Sequence, residues 1–354
     1  MSRRAKSSAA SERHFSRRVP WLIWLWLAVV LGSLPLPAQD AIVLVGSGST
    51  VPAPLYSRWA LEYDKRDPKT QMRYVPSGTN EGIRQISRGV GDFAAGEALL
   101  TDKQRKQGGL TALPAVLIGI VPVYNLPDLH QELQLSGEVL AEIFLGDVKT
   151  WNAPQVAKLN PAITLPNLAI RVVNRPAGKG SNYVFTDFLS KVSPKFRARI
   201  GVTVSPKWPV GISAERSSDM AQQVKIIVGS IGYVEYQYAV KGGLRQAAVL
   251  NSNGRFLTAS PASMVAACSA VERPRWDGFS VSLTNAPGAD SFPITSFTWI
   301  YLRTTSIDKA RAAAFGDLLD WVYRDGQLLA VEEGYAALPP PLLAAVRRKV
   351  KALL

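Results

Sequence analysis

The stretch Ala41-Ile42-Val43-Leu44-Val45-Gly46-Ser47-Gly48-Ser49-Thr50-Val51-Pro52-Ala53-Pro54 decides the reading of this chain. Five apolar residues run into a glycine, as in a strand buried on both faces. Leu55, Trp59 and Tyr63 then recur at every fourth position, the period of a helix. Residues 46–54 therefore form a strand-to-helix loop, and the same order returns along the chain. Arg73–Val75 reads as a strand and Gly82–Ile86 as a helix, with a short strand at Asp92–Ala95. Val116–Tyr124 is apolar and too regular for a loop. Ser136 is placed to cap a helix carrying Val139, Leu140 and Ile143. Leu168–Val173 reads as a strand. Ser181 is expected to cap the helix after it, with Val184, Phe185, Phe188 and Leu189 on one face. Ile231–Tyr238 and Phe297–Leu302 read as strands, and Asp308–Tyr323 as a helix with Ala314, Leu318, Trp321 and Val322 inward. Pauses fall in the Pro/Gly-rich 153–166 and 285–293, and Pro339-Pro340-Pro341 precede a basic terminal helix. Such alternation predicts an α/β fold.

Three strand-to-helix loops share one chemistry. The first, Gly46-Ser47-Gly48-Ser49-Thr50-Val51, turns backbone N–H groups and hydroxyls towards a point where an anion can bind. It is not a dinucleotide fingerprint, because Val51 stands at the third glycine position. The second is Pro76-Ser77-Gly78-Thr79-Asn80-Glu81-Gly82. The third, Arg175-Pro176-Ala177-Gly178-Lys179-Gly180-Ser181, adds a guanidinium. Its Gly178-Lys179 pair is not a nucleotide-hydrolysing loop, since Gly180 occupies the Ser/Thr position and the leading glycine is missing. Singly, each loop is equally well a tight turn with capping hydroxyls. Together, backbone donors, hydroxyls and one Arg can hold an oxyanion without a metal. A fourth segment, Asp92-Phe93-Ala94-Ala95-Gly96-Glu97-Ala98, adds a carboxylate. Unless Glu97 is merely a solvated strand-end charge, it can accept a proton carried by the ligand. Phosphate carries one at neutral pH and sulfate does not, so an ionised carboxylate would admit one and repel the other.

Composition excludes several chemistries. The 354 residues hold one Cys and two His, which rules out a disulfide framework, a Cys-rich zinc site and a His-rich metal site. No G-x-S-x-G elbow and no serine–histidine pair occurs in any motif, so catalytic residues, metal and cofactor are all expected to be absent. The net charge of +14 overstates the working protein. Residues 1–20 hold Arg3, Arg4, Lys6, Arg13, Arg17 and Arg18 against Glu12, and an apolar run from Trp21 to Leu34 leads to Pro35-Leu36-Pro37-Ala38. That run is shorter than the roughly 20 residues of a spanning helix and has the length of a signal peptide's apolar region. Removal of residues 1–38 takes five of those charges and leaves +9. The densest remaining cluster, Arg347-Arg348-Lys349 with Lys351, sits near a helix C-terminus, where the dipole favours cations. No nucleic-acid partner is expected.

These motifs resemble, in order along nearly all of the chain after residue 38, the periplasmic phosphate-binding proteins of ABC-type phosphate import. Thr50-Val51-Pro52-Ala53-Pro54 is similar to that family's first turn, Asp92–Glu97 to its Asp-Phe-Gly-Ala-Ser-Asp segment, and Arg175–Ser181 to its Arg-x-x-Gly-Ser-Gly-Thr segment. Further likenesses are Leu145–Asn152, Lys207–Gly211, Gly232–Tyr236, Pro293–Ser296 and Tyr335–Pro339. The resemblance implies a two-lobed α/β periplasmic binding protein fold of type II, with a hinge between the lobes and the ligand in their cleft. It implies one lobe from 39–117 with 290–354 and another from 118–289. The implied partners are inorganic phosphate and an ABC permease, with its transmembrane and cytoplasmic ATPase subunits. The implied form is a monomer in the periplasm. Position by position, it implies that Thr50, the Val51 N–H, Thr79, Arg175, Gly180 and Ser181 bind ligand oxygens.

Two positions depart from the pattern. Glu97 stands where the family has the proton-accepting Asp, and Lys179 stands in place of a ligand-binding serine. Three readings stay open. Lys179 pairs with Glu97 and leaves phosphate binding intact; the pocket takes a larger oxyanion such as a phosphate ester or pyrophosphate; or binding is weak and the protein is a sensor or adaptor. An exported phosphatase is a fourth reading of a different class, with no cluster of residues to support it.

Overall fold

The computed structural model describes residues 41–271, 279–304 and 308–353. The expected signal peptide, 1–38, lies outside the described residues.

The first strand, β1 (Ile42–Gly48), is flanked in parallel by β2 (Thr70–Val75) and β3 (Phe93–Gly96). β4 (Leu110–Tyr124), β5 (Gln134–Leu135), β6 (Arg171–Asn174), β7 (Ile212–Ser213) and β8 (Ser230–Glu235) follow. β9 (Arg245–Gln246), β10 (Ala248–Leu250), β11 (Phe256–Leu257) and β12 (Thr295–Arg303) complete the set. The main sheet runs β2-β1-β3-β12-β4-β8-β6-β7, with β9 also on β4, and a small sheet runs β11-β10-β5.

β4 organises the molecule because it changes partner half-way. Leu110–Gly119 pairs antiparallel with β12, and Ile120–Tyr124 pairs antiparallel with β8. β3 runs alongside β12 towards this changeover, and β8 returns to it, placing Glu235 opposite Ile120. The carboxyl ends of the strands on both sides therefore converge, which is where open α/β sheets bind ligands. Each side has its own aromatic core. On the first, Phe93 stacks on Phe315 and packs near Tyr56 and Tyr74. On the second, Phe185 stacks on Tyr233 with a 4.2 Å centroid separation, and Phe144 and Trp208 close around them.

Helices form where the apolar period asks for them. Ala53–Arg66 buries Leu55, Tyr56, Trp59 and Tyr63, and Lys309–Arg324 is capped by Asp308 through the Ala310 N–H at 3.1 Å. The expected Ser136 cap is present, accepting from the Val139 N–H at 3.2 Å. Arg311, from Lys309–Arg324, grips Asp92 at 2.7 Å and the Val43 carbonyl at 2.8 Å, fixing β3 against β1. Three local expectations need correction. The strand expected to reach Tyr238 ends at Glu235, where β4 changes partner to β12, and Tyr236–Lys241 turns into helix. The strand expected from Leu168 begins at Arg171. Ser181 does not cap its helix: Gly180–Val192 begins one residue earlier, with Lys179 at the cap position and no side-chain bond there.

Candidate functional site

The first loop is pressed against the end of β3. Gly48 has φ +134°, and a Cβ there would lie 2.1 Å from the Ala95 carbonyl oxygen, so only glycine fits. Ser49 donates its N–H to Ala95 O at 2.8 Å and is fully buried. Its hydroxyl accepts the Val51 N–H at 3.1 Å. The Val51 N–H thus has an acceptor within the loop, while Thr50 beside it is half-buried. Tyr74 and Tyr335 hold the loop from behind, donating to the Ser49 and Val51 carbonyls at 2.7 and 2.8 Å.

Thr79 opens the helix Thr79–Ser87 and is fully buried. Its hydroxyl donates to Glu97 Oε2 at 3.1 Å. Glu97 is 1% exposed, so it is not a solvated strand-end charge. Its Oε1 has no hydrogen-bond partner. Burial raises the carboxyl to about 8; the Ser49 and Thr79 hydroxyls oppose that rise, and the Glu235 carboxylate adds to it.

From the other side of the changeover come Arg175 and the helix Gly180–Val192. Arg175 is fully buried. Its Nη1 donates to Ser217 Oγ at 2.6 Å and its Nη2 to the Glu215 carbonyl at 3.0 Å, while Nε has no partner. The Arg175 backbone N–H donates to the Tyr233 hydroxyl at 3.2 Å, and the Trp208 indole donates to its carbonyl at 3.2 Å. The guanidinium is therefore held in place with one edge uncommitted. Gly180 lies so near Glu97 that an added Cβ would fall 1.5 Å from Oε2 and 2.6 Å from Thr79 Oγ1. Ser181 is 1% exposed and its hydroxyl has no partner. Asn182 ties the loop down, donating to the Pro176 carbonyl at 2.7 Å.

Lys179 does not pair with Glu97. Its ammonium meets the carboxylate of Glu215, a 67% exposed side chain on the rim. The coupling expected between the two departures is replaced by two separate arrangements. The loop backbone explains this: Lys179 precedes the helix in an extended conformation (φ −89°, ψ 137°), while Gly180 takes the place beside Glu97.

Thr79, Glu97 and Gly180 are thus brought into contact, with Arg175 and Ser181 on the same loop as Gly180. Among the described residues no group of three His, Cys, Asp or Glu could hold a metal, and no helix is long and apolar enough to cross a membrane.

The PBP superfamily domain matches residues 36–325. The phosphate-binding protein PstS of Pasteurella multocida (strain Pm70) is 36% identical over 326 residues, 92% of this chain and 94% of that protein. The PstS of Haemophilus influenzae (strain ATCC 51907 / DSM 11121 / KW20 / Rd) is 35% identical over 92% of this chain and 97% of its own. The chain belongs to the periplasmic phosphate-binding protein family. Solved folds agree. A high-affinity periplasmic phosphate-binding protein, PfluDING, superposes with a TM-score of 0.68 at 18% identity, covering 88% of this chain and 93% of that one. An ABC-type phosphate transport receptor from Vibrio cholerae gives 0.59 at 18% identity, covering 84% and 100%. The fold is the two-lobed type II arrangement of this family.

Sequence reasoning missed several members of the cleft. Ser49 lay inside the first loop but was not given a role. Glu235 is fully buried with both carboxyl oxygens unpartnered. Its burial at a strand end is not legible in a stretch that reads as strand through to Tyr238. Ser217 and Glu215, which hold Arg175 and Lys179, lie in no recognisable motif.

Proposed function

We propose that this chain is an exported, monomeric solute-binding protein that takes inorganic phosphate in the interlobe cleft and presents it to an ABC permease, without chemistry of its own. The observation that carries the reading is Arg175. It is a fully buried guanidinium with an uncommitted Nε, at the start of the loop whose Gly180 lies beside Glu97 and Thr79. A buried cation beside a helix N-terminus and unpartnered hydroxyls suits an oxyanion. The names of the relatives support phosphate as that anion. In this reading Thr79, Arg175, Gly180 and Ser181 bind ligand oxygens, together with Thr50 and the Val51 N–H once that loop releases its internal bond. Above about pH 8, where it is ionised, Glu97 receives the ligand's proton on its partnerless Oε1. Lys179, turned to Glu215, adds positive potential at the rim.

The lobes comprise 39–117 with 290–354, and 118–289, hinged where β4 changes partner. Residues 1–38 direct export to the periplasm and are removed.

Dialysed protein titrated calorimetrically with phosphate, pyrophosphate and glycerol phosphate tests the reading. Saturation at one phosphate per chain is expected. Preference for an ester or for pyrophosphate would overturn phosphate as the ligand, and metal-dependent turnover of a phosphate ester would overturn the binding role altogether.

A further inference from the structure

Glu97 touches both lobes at once. It stands just past the end of β3, in the first lobe, yet its Oε2 abuts Gly180, the first residue of the helix Gly180–Val192 in the second. The same oxygen accepts the Thr79 hydroxyl at 3.1 Å. Gly78 also approaches the second lobe closely, since a Cβ there would lie 3.3 Å from the Gly178 carbonyl oxygen, but that approach is backbone to backbone. At Gly180 the neighbour is the glutamate side chain, which fills the space a Cβ would need. The helix end it meets is polar and buried: Ser181, next in the chain, is 1% exposed with a partnerless hydroxyl. A carboxylate at a helix N-terminus satisfies the same dipole and donors that a bound oxyanion would.

We propose that Glu97 is an interlobe clasp, whose carboxyl competes with the anion for the Thr79 hydroxyl and the amino end of the helix Gly180–Val192. This rests on the reading that an oxyanion uses those donors. An internal group that stabilises closure through the ligand's own donors lowers apparent affinity, because part of the population must release it before the anion is seated. A side chain one methylene shorter withdraws from Gly180 while keeping an acceptor on β3's side of the cleft. It removes the competition without removing the charge.

The test pairs two readouts on the full mature chain, wild type and Glu97→Asp. Spin labels placed through Ser57→Cys and Ala198→Cys, both exposed and one on each lobe, report the interlobe distance in phosphate-free buffer. Calorimetry with inorganic phosphate reports affinity. The proposal expects a substantial closed population in the wild type, a shift to the open distance in Glu97→Asp, and phosphate binding about tenfold tighter in that variant. Identical distance distributions for the two proteins overturn the clasp, and so does weaker or equal phosphate affinity in Glu97→Asp. A distance shift with no phosphate binding by either protein would uphold the clasp and overturn phosphate as the ligand.

Discussion

Glu97 and Arg175 are two ionisable side chains of the candidate site, both buried and differently supported. Arg175 is tied by two side-chain bonds, to Ser217 and the Glu215 carbonyl, and its backbone is held by Tyr233 and Trp208. Glu97 has hydroxyls about it, while Lys179, next to Gly180 in the chain, meets Glu215 instead, and the neighbouring Glu235 raises its pKa further. The guanidinium is thus fixed in place, whereas the acid is driven towards neutrality by burial. In the proposed reading an anion completes the first and meets the second on terms that depend on a proton.

The comparison breaks most readily at Arg175. Arg175→Ala removes the charge-assisted donors, each worth about 1.5–3 kcal/mol, and should weaken phosphate binding on the order of 1,000-fold by calorimetry. Retention of affinity within tenfold would show that the guanidinium is structural. Gly180→Ala comes next. Its methyl group would overlap Glu97 Oε2 and Thr79 Oγ1. The same methyl would crowd an anion seated between Thr79 and the amino end of the helix, and overpacking of this kind costs about 1–3 kcal/mol, a loss of roughly 5- to 150-fold if the anion-bound form carries it. Unchanged affinity would mean that the lobes do not meet there in the bound protein. Lys179→Ser should matter least. Its partner is two-thirds exposed, and such pairs contribute about 0.2–1 kcal/mol, so phosphate affinity should stay within about fivefold. Abolished binding would place Lys179 among the ligand's direct contacts.

Much of this arrangement was legible in the sequence. The apolar run Ala41–Val45 with its glycine loop announced β1, and the four-residue recurrence of Leu55, Trp59 and Tyr63 announced the helix after it, because both signals are local. Thr79, Glu97 and Gly180 could be nominated from loops at strand ends. Their mutual contact is a tertiary fact, made by β4 changing partner from β12 to β8. Tyr236 was misread because aromatic residues suit either state, and what ends β8 is the loss of its β4 partner after Ile120. The pairing of Lys179 with Glu97, one of three readings open in the sequence, gives way to Glu215, a partner far along the chain that no local pattern marks. Cys268, read as a lone buried thiol, is buried, and burial raises it to about 12.

The proton on Glu97 decides how the proposed site treats different anions. With the carboxyl raised to about 8 by burial, it is neutral below that pH and can donate to any oxyanion; above it, the ionised group accepts only from a ligand that brings a proton. Competing calorimetric titrations of phosphate and sulfate between pH 7 and 10 measure this directly. Sulfate affinity should fall by up to about tenfold per pH unit above 8, while phosphate, which still carries a proton there, should lose far less, so that selectivity for phosphate widens as pH rises. A phosphate-to-sulfate ratio that stays constant across this range, or that narrows, would contradict the assignment of Glu97 as the residue that tells the two anions apart.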